Sequence, residues 1–143
     1  MRWKLINDGP QRTFALVFGK GDEIVAELAA FAAEQGLSAS QFTGLGALSD
    51  VVLGFFDWEA KDYRRIPVHE QVEVVSLVGD VTCGEDKPKL HPHIVVSKSD
   101  GTAMGGHLLE GHVRPTLEVI VTESPAHLRR RRDPETGLAL IDI

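Results

Sequence analysis

The chain has 143 residues, enough to bury one hydrophobic core and too few for two ordinary domains. At 43% hydrophobic and 25% charged, it is neither disordered nor fibrous, and no apolar run approaches the ~20 residues of a membrane span. With 21 acidic against 15 basic residues the net charge is −6, which argues against holding duplex DNA through a broad basic face.

In chain order, Thr13–Phe18 alternates as a strand, and Asp22 to Gln35 then switches to helical spacing. Ile24, Leu28 and Phe31, backed by Val25, Ala29 and Ala32, form a core-facing stripe. Asp22 is the expected N-cap, Glu23 suits the first turn, and Gly36 supplies a left-handed stop, so the principal helix spans about residues 22–36. The remaining elements read as short strands at 41–45, 51–57, 63–68, 73–81, 91–97, 102–108 and 117–122. Turn signals separate them at 19–22, 59–62, 84–88 and 99–101, and such short connections favour antiparallel hairpins. Thr43-Gly44-Leu45-Gly46-Ala47-Leu48 lacks the third glycine and the following helix of a phosphate loop, and reads as a tight strand connection. The tail, apolar again at Leu138, Leu140 and Ile141, suggests an added edge strand. The expected architecture is one α+β domain over 1–143, a mostly antiparallel sheet with one principal helix, with a core at about 12–122 and an extension at 123–143.

The single cysteine, Cys83, has no intramolecular partner and reads as a packed or idle thiol. The opening MRWKLINDGPQ lacks the apolar core of a signal peptide, so the expected compartment is the cytoplasm.

Most of the chemistry lies between residues 90 and 111. Residues two apart on a strand share a face at a spacing of ~6.5 Å, so His91 and His93 can reach one ion together while Ile94 and Val96 turn to the core. A three-residue loop centred on Ser99-Asp100-Gly101 places His107 opposite His93, and a one-residue slip would destroy that alignment. Three converging imidazoles suit zinc, iron, manganese, nickel or copper and leave coordination positions open. Pro92 suggests a strand edge or bulge, and Gly105 and Gly106 permit close backbone approach. Glu110 is a candidate fourth ligand, outer partner or general base. Arg129, Arg130, Arg131 and Arg132 form either an anion or nucleic-acid contact or a solvated basic turn paired with acids such as Asp133 and Glu135. His69, His112 and His127 read as surface or interface residues.

Four segments carry a family resemblance: TGLGALSDVVLGFFD (43–57), VEVVSLVGDV (72–81), LHPHIVVSKSDG (90–101) and GGHLLEGHV (105–113). Together they resemble the plants-and-prokaryotes-conserved (PPC) domain in its stand-alone bacterial form, from about Arg12 to Thr122. The resemblance implies an α+β fold with a largely antiparallel sheet, assembly as a homotrimer, and His91, His93 and His107 at the positions of the histidine triad of many prokaryotic members. Plant members add an AT-hook with an Arg-Gly-Arg-Pro core, and bacterial members carry a DNA-binding label by analogy. This sequence has only Arg114-Pro115, and Gln71-Val72-Glu73-Val74 stands where the plant domain carries its partner-binding Gly-Arg-Phe-Glu-Ile segment. Neither DNA contact nor partner recognition therefore transfers residue by residue.

Two functions follow as expectations. One is a homotrimeric module holding a divalent metal, zinc first, associated with DNA or a transcription complex. The other is a metal-dependent enzyme acting on a small metabolite bound at the three histidines.

Overall fold

The computed structural model describes residues 1–84 and 87–143, so the expected turn at 84–88 lies partly outside the described residues. Nine strands and one helix follow in the order β1 (Arg2–Asn7), β2 (Thr13–Phe18), α1 (Ile24–Gln35), β3 (Ala39–Asp57), β4 (Asp62–Val68), β5 (Val72–Cys83), β6 (Pro88–Ser97), β7 (Ala103–Glu123), β8 (Arg129–Arg132) and β9 (Ala139–Asp142). The fold is α+β, with every strand pair antiparallel except a single parallel pairing of Cys83 with Arg129.

The sheet closes on itself. β3 pairs with β5, β5 with β6, β6 with β7, and β7 returns to β3. The N-terminal end of β7 is thus held on both sides, with His107 opposite His93 of β6 and Gly54 of β3. Inside lie Phe14, Phe42, Leu48, Leu77, Ile94, Leu108 and Leu117, all almost fully buried. Burying each such side chain contributes ~1.5–3 kcal/mol, which is the term that holds the curled sheet around its core.

Helix α1 follows the expected stripe, with Ile24, Leu28, Phe31 and Ala32 buried and Gly36 left-handed at φ 62°. The Phe31 ring meets Phe14 edge-on at 5.2 Å between centroids. The N-cap is Glu23 rather than Asp22: the Glu23 carboxylate accepts from the Ala26 amide at 2.6 Å. Asp22 instead accepts from the Gly19 amide at 2.9 Å and pairs with the N-terminal amine at 2.8 Å, so the turn has taken it from the helix.

Three expectations about strands are corrected. The segments at 41–45 and 51–57 belong to one strand, β3, so Thr43–Leu48 is not a connection between strands. Register shifts at Gly44/Gly46, Gly46/Leu48 and Leu48/Asp50 bend the strand through this polar and glycine-containing stretch without ending it. Likewise 102–108 and 117–122 are joined as β7, which carries His112 and passes through a cis Arg114–Pro115 bond. The N-terminal strand β1, with no expected counterpart, pairs with β2. The tail supplies two strands rather than one: Arg129–Arg132 pairs with Ala139–Asp142 as a hairpin.

Candidate metal centre

The loop between β6 and β7 sets the site. Lys98 donates its amide to the Thr102 carbonyl at 2.9 Å, and Gly101 turns the chain at φ 84°, a left-handed conformation that glycine adopts without a Cβ penalty. This three-residue loop fixes Ser97 opposite Ala103, Val95 opposite Gly105 and His93 opposite His107. Pro92 lies just beyond the last β6–β7 pair, at the edge that a missing amide donor favours.

His91, His93 and His107 converge, each offering one ring nitrogen, with those atoms all within 4.8 Å of one another. His91 Nε2 and His93 Nε2 stand 3.3 Å apart. Two zinc–nitrogen bonds of ~2.05 Å at a tetrahedral angle hold their nitrogens ~3.3 Å apart, so this pair already has the bite of a tetrahedral cation. The Nδ1 atom of His107 is buried with no hydrogen-bond partner among the described residues, and a bound cation would satisfy it in the tautomer that leaves this nitrogen's lone pair free. The three residues fit a cation on both counts.

Electrostatics point the same way. Burial, then the neighbouring His93 and His91 rings and the Lys89 ammonium, push His107 down to about 4. Burial and His91 lower His93 as well. Both rings are therefore neutral near pH 7, with the lone pairs a metal requires.

Surrounding groups orient the rings. Tyr63 of β4 stacks on His107 with centroids 4.6 Å apart and planes 29° from parallel. Gly54 permits this, because a Cβ there would lie 2.9 Å from Cδ1 of Tyr63. On the other flank, His91 Nδ1 faces the Arg130 guanidinium at 3.3 Å and the Asp80 carboxylate at 3.6 Å, leaving Nε2 toward the cluster. Asp80 in turn accepts from Arg130 at 2.6 Å. Arg130 also donates to Thr82 at 2.9 Å and to the Ala139 carbonyl at 2.7 Å, and its side chain is only 7% exposed.

The four arginines therefore divide. Arg130 points inward as the pin between Asp80, Thr82 and the C-terminal hairpin, while Arg129, Arg131 and Arg132 are exposed and Arg131 pairs with Asp142 at 3.2 Å. Four identical residues carry no phase, so only the contacts with Asp80 and Thr82 of β5 identify the inward one. Glu110 is not brought to the histidines: its carboxylate pairs with Arg65 at 2.6 Å, and no carboxylate joins the cluster among the described residues. The register shift between Val52 and Leu53 sets His107 and Glu110 opposite Gly54 and Val52, two residues apart on β3, so the two share a face of β7 despite their odd spacing, and it is the ion pair with Arg65 that engages the Glu110 carboxylate. Asp80, Arg130 and Tyr63 carry no sequence motif; the strand pairing of Asp80 with His91 is their only signal.

Beside the histidines lies a cleft of about 710 Å³, bounded by Tyr63, His91 and His107 on the sheet and by Arg130, Arg132 and Gly137–Leu140 of the hairpin.

Comparison with known proteins agrees with this architecture. Residues 6–125 match the Plants and Prokaryotes Conserved (PCC) domain, and the chain belongs to that family. A candidate DNA-binding protein from Bacteroides thetaiotaomicron superposes with a TM-score of 0.88 at 29% identity, over 98% of this chain and 96% of that one. A metal-containing protein from Archaeoglobus fulgidus superposes with a TM-score of 0.84 at 31% identity, over 99% of this chain and 97% of that one. A curated relative, the bifunctional protein GlmU of Synechococcus sp. (strain JA-3-3Ab), is 30% identical over 138 residues, and the chain spans 21% of its length.

Proposed function

We propose that this protein is a homotrimeric metal-binding module, in which His91, His93 and His107 of one chain hold one divalent cation, zinc before others, and that it serves a DNA- or transcription-associated role. The 3.3 Å separation of His91 Nε2 and His93 Nε2 carries the metal reading, because it matches the bite of a tetrahedral cation. The metal-containing relative from Archaeoglobus fulgidus supports it. Bound zinc would supply a Lewis acid with room for water or a ligand. The chain's own part is to keep His93 and His107 neutral, to hold His91 against the Arg130–Asp80 pair, and to cover His107 with Tyr63.

Self-association is supported by the outer face of the sheet. Val78, opposite both Thr43 and His93, and Ile120, opposite Thr43, are exposed along with Leu45 and Val95, a concentration of large apolar side chains on the outer face of the kind subunits cover. The DNA-associated part is supported by the candidate DNA-binding relative and by the exposed Arg129, Arg131 and Arg132. No helix among the described residues is long and apolar enough to cross a membrane.

Zinc analysis of protein purified without a metal-affinity tag tests the centre, with His91→Ala and His107→Ala beside it. Retention by the parent and loss in both variants is expected; equal zinc in all three would refute it. Light scattering gives the subunit count, and titration with duplex DNA at moderate salt gives the DNA term.

A second reading, a metal-dependent enzyme for a small metabolite, draws on one observation. The cleft opens directly onto His91 and His107 and has the volume of a small-molecule site.

A further inference from the structure

Among the described residues, the formally charged side chains that line the cleft beside the histidines are all basic. Lys87, Lys89, Arg130 and Arg132 line it, and no carboxylate lines it among the described residues. Arg130 is neutralised by Asp80, whereas Lys89 and Arg132 are exposed and form no ion pair among the described residues. The lining also includes apolar side chains, Leu90 from β6 and Leu138 and Leu140 from the hairpin. A cavity of about 710 Å³ with this lining accommodates a ligand of metabolite size that is anionic at one end and apolar at the other.

We propose that this cleft binds a small organic carboxylate, its oxygens facing Lys89, Arg132 and the histidine cluster, and its hydrocarbon part lying against Leu90, Leu138 and Leu140. The inference rests on the metal reading only for the cation that would share the carboxylate; the cationic and apolar side chains belong to the chain itself. Charge-assisted hydrogen bonds from Lys89 and Arg132 select an anion over its neutral isostere, and the leucines select a carboxylate with an apolar tail over inorganic phosphate. The hairpin is central to this assignment. It supplies Arg132, Leu138 and Leu140, and Arg130 fastens it to β5 through Thr82 and Asp80.

Calorimetric titration of the zinc-loaded protein with benzoate, benzamide and inorganic phosphate tests the proposal. Saturable benzoate binding is expected, with benzamide and phosphate each at least about tenfold weaker. Lys89→Gln and Arg132→Gln, both on exposed side chains, should each weaken benzoate by about tenfold while zinc content and melting temperature stay at parental values. Absence of saturable benzoate binding, equal affinity for benzamide, or unchanged affinity in both variants would overturn the proposal. Zinc content measured on the same samples separates the two failures. Zinc-free protein that still prefers benzoate through Lys89 and Arg132 refutes the metal centre and upholds the cleft, whereas zinc-loaded protein without that preference does the reverse.

Discussion

His93 and His107 are direct register partners across the β6–β7 hairpin, their rings nearly perpendicular at 84° with centroids 5.2 Å apart. Their meeting depends on the length of the 99–101 loop, since a shift of one residue turns a side chain to the opposite face. Deleting Gly101 should therefore abolish zinc retention while circular dichroism still reports a sheet. Gly101→Asn keeps the loop length and tolerates positive φ, so it should retain zinc at a cost of no more than about 1 kcal/mol in stability. Zinc retained by the deletion would show that the register does not make the site.

Asp80 tests the orientation of His91. A carboxylate behind a ligating imidazole typically accounts for 10–100-fold in metal affinity. Asp80→Asn should therefore lower zinc affinity by about that range in a competition titration against a chromogenic chelator. Because Asp80 also accepts from Arg130, the same variant should loosen the hairpin, seen as faster amide exchange over 129–142. Unchanged zinc affinity would assign Asp80 to the hairpin alone.

How far the sequence reveals this site differs residue by residue. Strand parity pairs His91 with His93, whereas His107 joins them only through an assumed three-residue turn, which is the register the hairpin adopts. The helix was legible from its apolar stripe, but its cap was not, since Asp22 and Glu23 are both suitable and the choice rests on Asp22 being engaged by Gly19 and the N-terminal amine. The long strands β3 and β7 read as four short ones because bulges keep pairing intact through residues that usually end it. Strand β1 lies at the sheet edge, and its alternation, Arg2-Trp3-Lys4-Leu5, lasts only four residues before Ile6 breaks it, too short a run to mark a strand. Arg130 became distinguishable from its three neighbours only through tertiary pairing.

His112 and Asp50 give a pH signature away from the metal. Their Nδ1···Oδ1 separation is 2.7 Å; the hydrogen bond raises His112 above its ordinary 6.5 against burial. Burial raises Asp50, but hydrogen bonds from His112 and Ser49 outweigh it and hold the carboxyl below its ordinary 3.8. A raised histidine contributes stability in full below 6.5 and loses it as pH rises through the folded value; a lowered aspartate contributes above 3.8 and loses it as pH falls through its own. The pair therefore helps most between those two ordinary values. With chelator present throughout, the melting-temperature difference between parent and His112→Gln should peak near pH 5 and shrink by pH 8. A difference independent of pH would exclude the ion pair as its cause.

Glu123, at the far end of β7 from His107, is the most heavily used buried carboxylate, at 6% exposure. It accepts from the Ser38 amide at 3.0 Å, the Ser38 hydroxyl at 3.2 Å, the Ala39 amide at 3.2 Å and the Ser40 hydroxyl. These contacts fasten the start of β3 to the end of β7 just after the helix. Glu123→Ala leaves two backbone amides and the Ser40 hydroxyl without their acceptor, while Ser38 Oγ keeps His127 Nδ1 at 2.7 Å, and each unsatisfied buried group costs about 1–3 kcal/mol before water enters. Glu123→Gln keeps one accepting oxygen and turns an amide donor toward the remaining donors. Urea unfolding should rank the parent above Glu123→Gln and that above Glu123→Ala, with the alanine variant losing about 3 kcal/mol or more. Zinc content should be unchanged in the folded fraction of both, because the histidine register is set by the 99–101 loop. An alanine variant within about 0.5 kcal/mol of the parent would mean that solvent replaces the carboxylate at no cost.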